Sequence, residues 1–179
     1  MFYYLDKLFF FLLYNPAAEN TVVGNMMVFI TNWSSYLFAA IYLIAIVFLL
    51  LQRSRKLIPV IFAPALTIVI VQVTRFFYLR PRPFITLEVD SLIYHAANGS
   101  LPSMHAASAF VIATAIWFID KRIGKYVLIL ASMTAISRVM VGVHFPFDII
   151  LGAMLGVLMS IGVFRGTKSF AVLLQKMFP

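Results

Sequence analysis

The chain contains no cysteine. A disulfide framework and a thiolate metal site are therefore both excluded. Acidic residues are nearly as scarce, six in 179 positions. Of these, Glu88, Asp90 and Asp148 offer no spacing that would assemble an oxygen-ligated ion, so neither a metal nor another cofactor is expected. Charge of either sign is short: 11% of residues are charged, where a soluble domain carries roughly 25%. With 63% apolar residues, a soluble domain is excluded and a bilayer-embedded one is indicated. Internal repeats and low-complexity tracts are missing too. The length suits one compact unit, residues 1–179. The net charge of +8 does not call for a nucleic-acid partner. In a membrane chain, lysine and arginine gather in cytoplasmic loops.

What is present is a series of long apolar runs. A spanning helix needs about 20 mostly apolar residues. Five stretches qualify, at 28–51, 57–78, 104–119, 124–142 and 147–164. The N-terminal MFYYLDKLFFFLLYN lacks the basic leader and small-residue cleavage site of a signal peptide. It offers about 13 residues before Asn15-Pro16, too few for a comfortable span. Residues 1–14 are read as an interfacial or half-inserted helix with Asp6 and Lys7 on its polar side. The predicted fold class is an all-α integral membrane bundle of about five to six transmembrane helices.

Three basic segments fall on one side of such a bundle: QRSRK at 52–56, DKRIGK at 120–125, and a tail with Arg165, Lys168 and Lys176. That side is expected to be cytoplasmic. The polar loop 79–103 and the turn 143–146 then lie outside. Arg75, Arg80, Arg82 and Arg138 defy the positive-inside trend, and His95, His105 and His144 join them there. Ionisable groups in or beside a span are costly unless paired, which makes them a functional-site hypothesis.

Three segments carry the cluster. In RFFYLRPRP (75–83), Pro81 and Pro83 stiffen an extended backbone and so aim Arg80 and Arg82. Arginine forks grip phosphate oxygens in pairs. In SLPSMHA (100–106), Ser103 stands at the start of a helix, where unpaired N–H groups favour an anion, and His105 lies in the first turn. In SRVMVGVHFPFD (137–148), Arg138 ends one span, His144 lies in the turn after Gly142, and Asp148 follows Pro146 in the next helix. The His144–Asp148 spacing lets the carboxylate fix one ring nitrogen and free the other as a nucleophile. Together the segments suit phosphoryl transfer. His144 attacks phosphorus, the arginines and the N–H groups near Ser103 and Met104 hold the oxygens, and His105 serves as acid and then base.

These motifs resemble those of the type 2 phosphatidic acid phosphatase superfamily, whose pattern is KxxxxxxRP, PSGH and SRxxxxxHxxxD. Arg75 through Arg82-Pro83 matches the first with arginine for lysine. Pro102-Ser103-Met104-His105 matches the second with methionine for glycine, and Ser137, Arg138, His144 and Asp148 match the third without departure. The resemblance implies His144 as nucleophile, His105 as acid and Asp148 as orienting carboxylate. It makes Arg75, Arg82, Ser103 and Arg138 phosphate ligands, with Arg80 and Met104 as further candidates. Met104 keeps the backbone N–H but adds bulk beside the phosphate. The short N-terminal segment, MMVFITNWSSYL (26–37), RPRPF (80–84) and VGVHFPFDIILGAMLG (141–156) are similar to the bacitracin-resistance type of undecaprenyl-diphosphate phosphatase. That similarity implies release of the terminal phosphate of a C55 polyprenyl diphosphate at the outer face of a bacterial inner membrane. Two alternatives stand beside it. One is the same chemistry on another lipid phosphate, such as phosphatidylglycerol phosphate or phosphatidic acid. The other is a non-enzymatic binder or transporter of lipid phosphates.

Overall fold

A computed structural model describes residues 2–177. Among them every regular element is a helix: α1 (Phe2–Glu19), α2 (Thr21–Leu51), α3 (Leu57–Phe77), the single turn α4 (Pro83–Thr86), α5 (Met104–Ile119), α6 (Lys121–Met140) and α7 (Pro146–Met177). By length and hydropathy α2, α3, α6 and Pro146–Ser169 of α7 can each cross a membrane, and α5 is a shorter apolar helix of 16 residues. Four of the five expected spans are therefore present, with shifted ends, and the fifth, 104–119, is the shorter helix α5. Asn20 caps α2 through its side-chain oxygen, which accepts Val22 N–H at 2.9 Å and Val23 N–H at 3.2 Å, so that helix begins at Thr21 and not at 28. Asp120 caps α6 in the same way. The Lys176 side chain lies outside the described residues.

The first helix does not stop at Asn15-Pro16 but runs to Glu19. Proline lacks one N–H and so removes one helical hydrogen bond. Burial of Phe10, Tyr14 and Ala17 against the bundle offsets that loss. Gly24 lets the next helix fold back, since a Cβ there would stand 2.6 Å from the Ala17 carbonyl oxygen.

At the centre lies α5, which packs on α3, α6 and α7. Its buried face is largely alanine, from Ala106 to Ala115. Small residues let helices approach closely within a membrane. Gly152 and Gly156 of α7 complete the fit, because Cβ atoms there would meet the Ser103 and Ala107 carbonyl oxygens at 2.6 and 2.4 Å. Large apolar side chains such as Phe29, Trp33, Leu43, Val69 and Phe76 point outward, as a lipid-facing surface requires.

The two basic loops meet at one end. There Lys56 Nζ donates to the Phe118 carbonyl at 2.8 Å, capping the end of α5. The opposite end collects the end of α3, the loop through α4, the start of α5 and the turn between α6 and α7.

Candidate active site

The α6–α7 turn begins as helix α6 ends at Met140 and reverses at Gly142, whose φ is +82°. Only glycine enters that region freely. A Cβ at this position would also meet the Tyr14 ring at 3.1 Å. The turn carries the His144 side chain inward to 1% exposure, and both Val143 and His144 N–H groups donate to the Arg138 carbonyl at 3.2 Å.

Arg82 approaches the His144 ring from the other side. Its extended backbone leads into Pro83, the first residue of α4. The guanidinium is 1% exposed. It donates through Nη1 to the Val143 carbonyl at 2.8 Å and through Nη2 to Asn98 Oδ1 at 2.7 Å. Nη1 also lies 3.2 Å from His144 Nε2. A guanidinium only donates, so Nε2 accepts and the ring proton belongs on Nδ1. The nitrogen free for attack is therefore Nε2, on the arginine side.

On the opposite edge of the ring, Nδ1 stands 3.5 Å from Asp148 Oδ2 and has no hydrogen-bond partner among the described residues. The expected His144–Asp148 contact is thus a close approach and not a closed hydrogen bond. The carboxylate is engaged elsewhere: Oδ2 accepts Phe145 N–H at 2.9 Å, and Oδ1 accepts Arg80 Nη1 at 2.7 Å. Arg80 therefore bonds Asp148. It also bonds Asp6 of α1, which is buried at 8% exposure and not on a solvated polar face.

Arg138 completes the cradle. It is 3% exposed, and Nη1 donates to Thr31 Oγ1 of α2 at 3.0 Å. Its Nε and Nη2 are buried with no partner among the described residues. Leaving charged donors unpaired in a buried site is expensive unless a ligand meets them. Arg75 is positioned differently, with Nε and Nη2 both donating to the Pro102 carbonyl at 3.2 and 2.8 Å. It therefore braces the start of α5 in the free protein. Ser103 is the N-cap of α5, and its own N–H donates to the Asp148 carbonyl at 2.9 Å. His105 is half-buried beside Met104, and both line an apolar groove with Ser34, Phe38, Ile68 and Ser108.

Electrostatics follow from this crowding of cations. Burial, and then the charges of Arg82, Arg138, Arg75 and His95, push His144 well below the usual imidazole range. Burial and the Arg75 charge lower Arg82 to about 10. Burial alone would also lower Arg80, but the Asp148 and Asp6 carboxylates outweigh it and raise the group. His95 lies with its ring 6.3 Å from that of His144, nearly perpendicular. Burial, then the arginine charges, lower it against the opposing hydrogen bond to the Ala96 carbonyl.

The structure thus gathers His144, Asp148, Arg80, Arg82 and Arg138 into one buried cluster, with Arg75, Ser103, Met104 and His105 at the neighbouring end of α5. Four side chains escaped the motif reading: Asp6, Thr31, Asn98 and His95. Thr31 lies in an apolar run whose few hydroxyls were a signal. Asn98 lies in an Asn-Gly-Ser triplet that reads as a mere turn.

A helical membrane bundle that buries a histidine among arginines, one of them with unpaired donors, is suited to holding a phosphate group. Residues 56–170 match the PAP2 superfamily, and the chain belongs to that family. It is 31% identical over 149 residues to the undecaprenyl-diphosphatase BcrC of Bacillus subtilis (strain 168), covering 83% of this chain and 77% of the relative. The crystal structure of Aquifex aeolicus LpxE superposes with a TM-score of 0.76 at 32% identity, covering 90% of this chain and 95% of that one. A transmembrane PAP2-type phosphatidylglycerolphosphate phosphatase from Bacillus subtilis shares the fold with a TM-score of 0.69 at 21% identity, covering 92% and 94%. The protein is a multi-pass membrane lipid phosphatase, a hydrolase.

Proposed function

We propose that the protein removes the terminal phosphate of undecaprenyl diphosphate, through a phosphohistidine on His144. The observation that carries this reading is the pair of buried, unpartnered donors on Arg138, set beside Arg82 and the Nε2 lone pair of His144. A phosphoryl group placed there satisfies those donors and meets a nucleophile. Nε2 attacks the terminal phosphorus and the bond to the bridging oxygen breaks. His105 gives its proton to that oxygen, releasing undecaprenyl phosphate. The same imidazole then takes a proton from water, whose oxygen attacks phosphorus and breaks the P–N bond, yielding inorganic phosphate. Positive side chains supply the charge stabilisation that a metal ion supplies in other phosphoryl transfers. The groove beside His105 runs among α2, α3 and α5, and its apolar lining suits the lipid tail of the leaving group.

The test is phosphate release by purified protein in detergent with EDTA present. Undecaprenyl diphosphate is expected to be the preferred substrate over phosphatidylglycerol phosphate and phosphatidic acid, with no loss to EDTA. Preference for a glycerolipid would keep the chemistry and remove the substrate assignment. No release from any of the three would favour the binding or transport reading.

The site is proposed to face outward from a bacterial inner membrane, because it lies at the end opposite the basic loops. The cysteine-free chain makes this testable without background labelling. Tyr94 is 97% exposed in the loop above the site. Tyr94→Cys is expected to react with a membrane-impermeant maleimide in intact spheroplasts, and Lys121→Cys only after lysis. The reverse pattern would invert the orientation.

A further inference from the structure

We infer that Asp6, on the first helix, is a positioning residue for His144 that acts through Arg80 and Asp148. The inference rests on the assignment of His144 as nucleophile. It adds to the active site a helix that lies outside the three motifs and outside residues 56–170.

The contacts form a continuous chain. Asp6 Oδ2 accepts Arg80 Nη2, and its Oδ1 accepts Phe147 N–H at 2.9 Å. Arg80 Nη1 donates to Asp148 Oδ1 at 2.7 Å, and Asp148 Oδ2 faces His144 Nδ1 at 3.5 Å. Exposure along the chain is 8%, 15%, 0% and 1%. The Arg80 guanidinium lies over the Phe145 ring at 4.4 Å, and Phe145 packs on Phe10 of α1 at 5.6 Å. Tyr14 ties the same helix to the active-site loop by donating to the Asp90 carbonyl at 2.6 Å. The first helix is therefore docked on the back of the nucleophile's turn. Lys7, next in sequence, lies near the Phe11 ring, 5.9 Å from its centroid.

Charge gives Asp6 its consequence. Attack by Nε2 places positive character on the imidazole ring, which a negative counter-ion at Nδ1 stabilises. Asp148 alone with Arg80 would form a neutral pair and offer little of that. Two carboxylates against one guanidinium leave one net negative charge behind the ring. Asp6 shares the arginine and so keeps the Asp148 charge available to His144. The remaining charges facing the ring, from Arg82, Arg138, Arg75 and His95, all oppose positive character. Asp6 also holds Phe147 N–H, which fixes the first turn of α7 and with it Asp148.

Asp6→Asn separates charge from shape, because the amide oxygen can still accept Phe147 N–H. The assay uses the lipid phosphate that the wild-type protein hydrolyses fastest, and it measures kcat, KM and melting temperature. Asp6→Asn is expected to lower kcat about tenfold with KM within about twofold, since Asp6 touches no substrate and acts on the reacting state. Arg80→Gln leaves two carboxylates uncompensated and is expected to lose activity as well. The double variant Asp6→Asn/Arg80→Gln restores one net negative charge and is expected to exceed both single variants in kcat. A wild-type kcat in Asp6→Asn would overturn the inference, and so would a loss that follows a fall in melting temperature. A double variant whose losses simply multiply would also overturn it, as expected of independent structural damage. His144→Ala runs in parallel. If it is inactive while Asp6→Asn is normal, only this inference fails. If it remains active, the nucleophile assignment fails and this inference with it.

Discussion

His144→Ala is expected to reduce phosphate release by at least ~10³-fold, because the covalent intermediate is assigned to its Nε2. The partner variant separates the two chemical steps. His105→Ala removes both the proton for the leaving oxygen and the base that activates water, but an aryl phosphate carries a leaving group that needs no proton. With p-nitrophenyl phosphate, His105→Ala is expected to give a stoichiometric burst of nitrophenol and then stall. The phosphoenzyme then waits for a base to activate water. The trapped phosphate should be acid-labile and absent from the double variant with His144→Ala. A burst that survives loss of His144 would place the nucleophile elsewhere. The pH dependence has a defined sign. His144 attacks only when neutral, and its basicity lies below the usual value of 6.5 because of burial and the neighbouring arginines. The neutral form therefore persists in mild acid. The acid limb of kcat/KM, which reports the free enzyme, is expected below pH 6.5. An acid limb above that value would contradict the packing described around the ring.

The second large effect concerns Arg138, where stability and activity are expected to part. Its Nε and Nη2 are buried without partners among the described residues, so the free protein carries a poorly compensated charge. Replacement of poorly compensated buried charges by apolar groups is often neutral or stabilising. Arg138→Met is expected to leave the melting temperature unchanged or higher. It should lower kcat/KM by about 10²–10³-fold, the loss typical of removing a preorganised donor for developing charge. Inorganic phosphate should raise the melting temperature of the wild-type protein by mass action, and that rise should vanish in the variant. Arg138→Lys should recover little activity, since an ammonium restores the charge but not the planar fork. A strong destabilisation in Arg138→Met, with phosphate protection retained, would mean that this arginine is structural.

Much of the site was legible because it is local. Ser137, Arg138, His144 and Asp148 occupy the end of one helix, a glycine turn and the first turn of the next. Backbone geometry over twelve residues then nearly fixes their relation. The same holds for Ser103, whose place before an apolar helix made it a cap. Hydropathy gave the spans for a similarly simple reason: in lipid, backbone groups must pair within their own segment, so apolar length reports helices directly. Helix ends were less visible. Side-chain caps such as Asn20 extend a helix into polar residues that hydropathy leaves out.

Tertiary structure decided which isolated polar groups meet. Asp6 and Arg80 are 74 residues apart, Arg138 and Thr31 are 107 apart, and Arg82 finds Asn98 across a loop. No periodicity connects such pairs. From the sequence, Asp6 belonged on the wet side of an interfacial helix, as an unpaired acid should. Packing reversed that, because Phe10 and Tyr14 bury the helix against the α6–α7 turn and bring the carboxylate to an arginine already facing Asp148. Once the helix is buried, pairing is the cheap way to keep that charge. Sequence alone thus determined a membrane bundle with a candidate histidine–arginine phosphate site at one end. Only the three-dimensional packing determined which residues hold that histidine, because the cost of burying charge is settled between segments far apart in the chain.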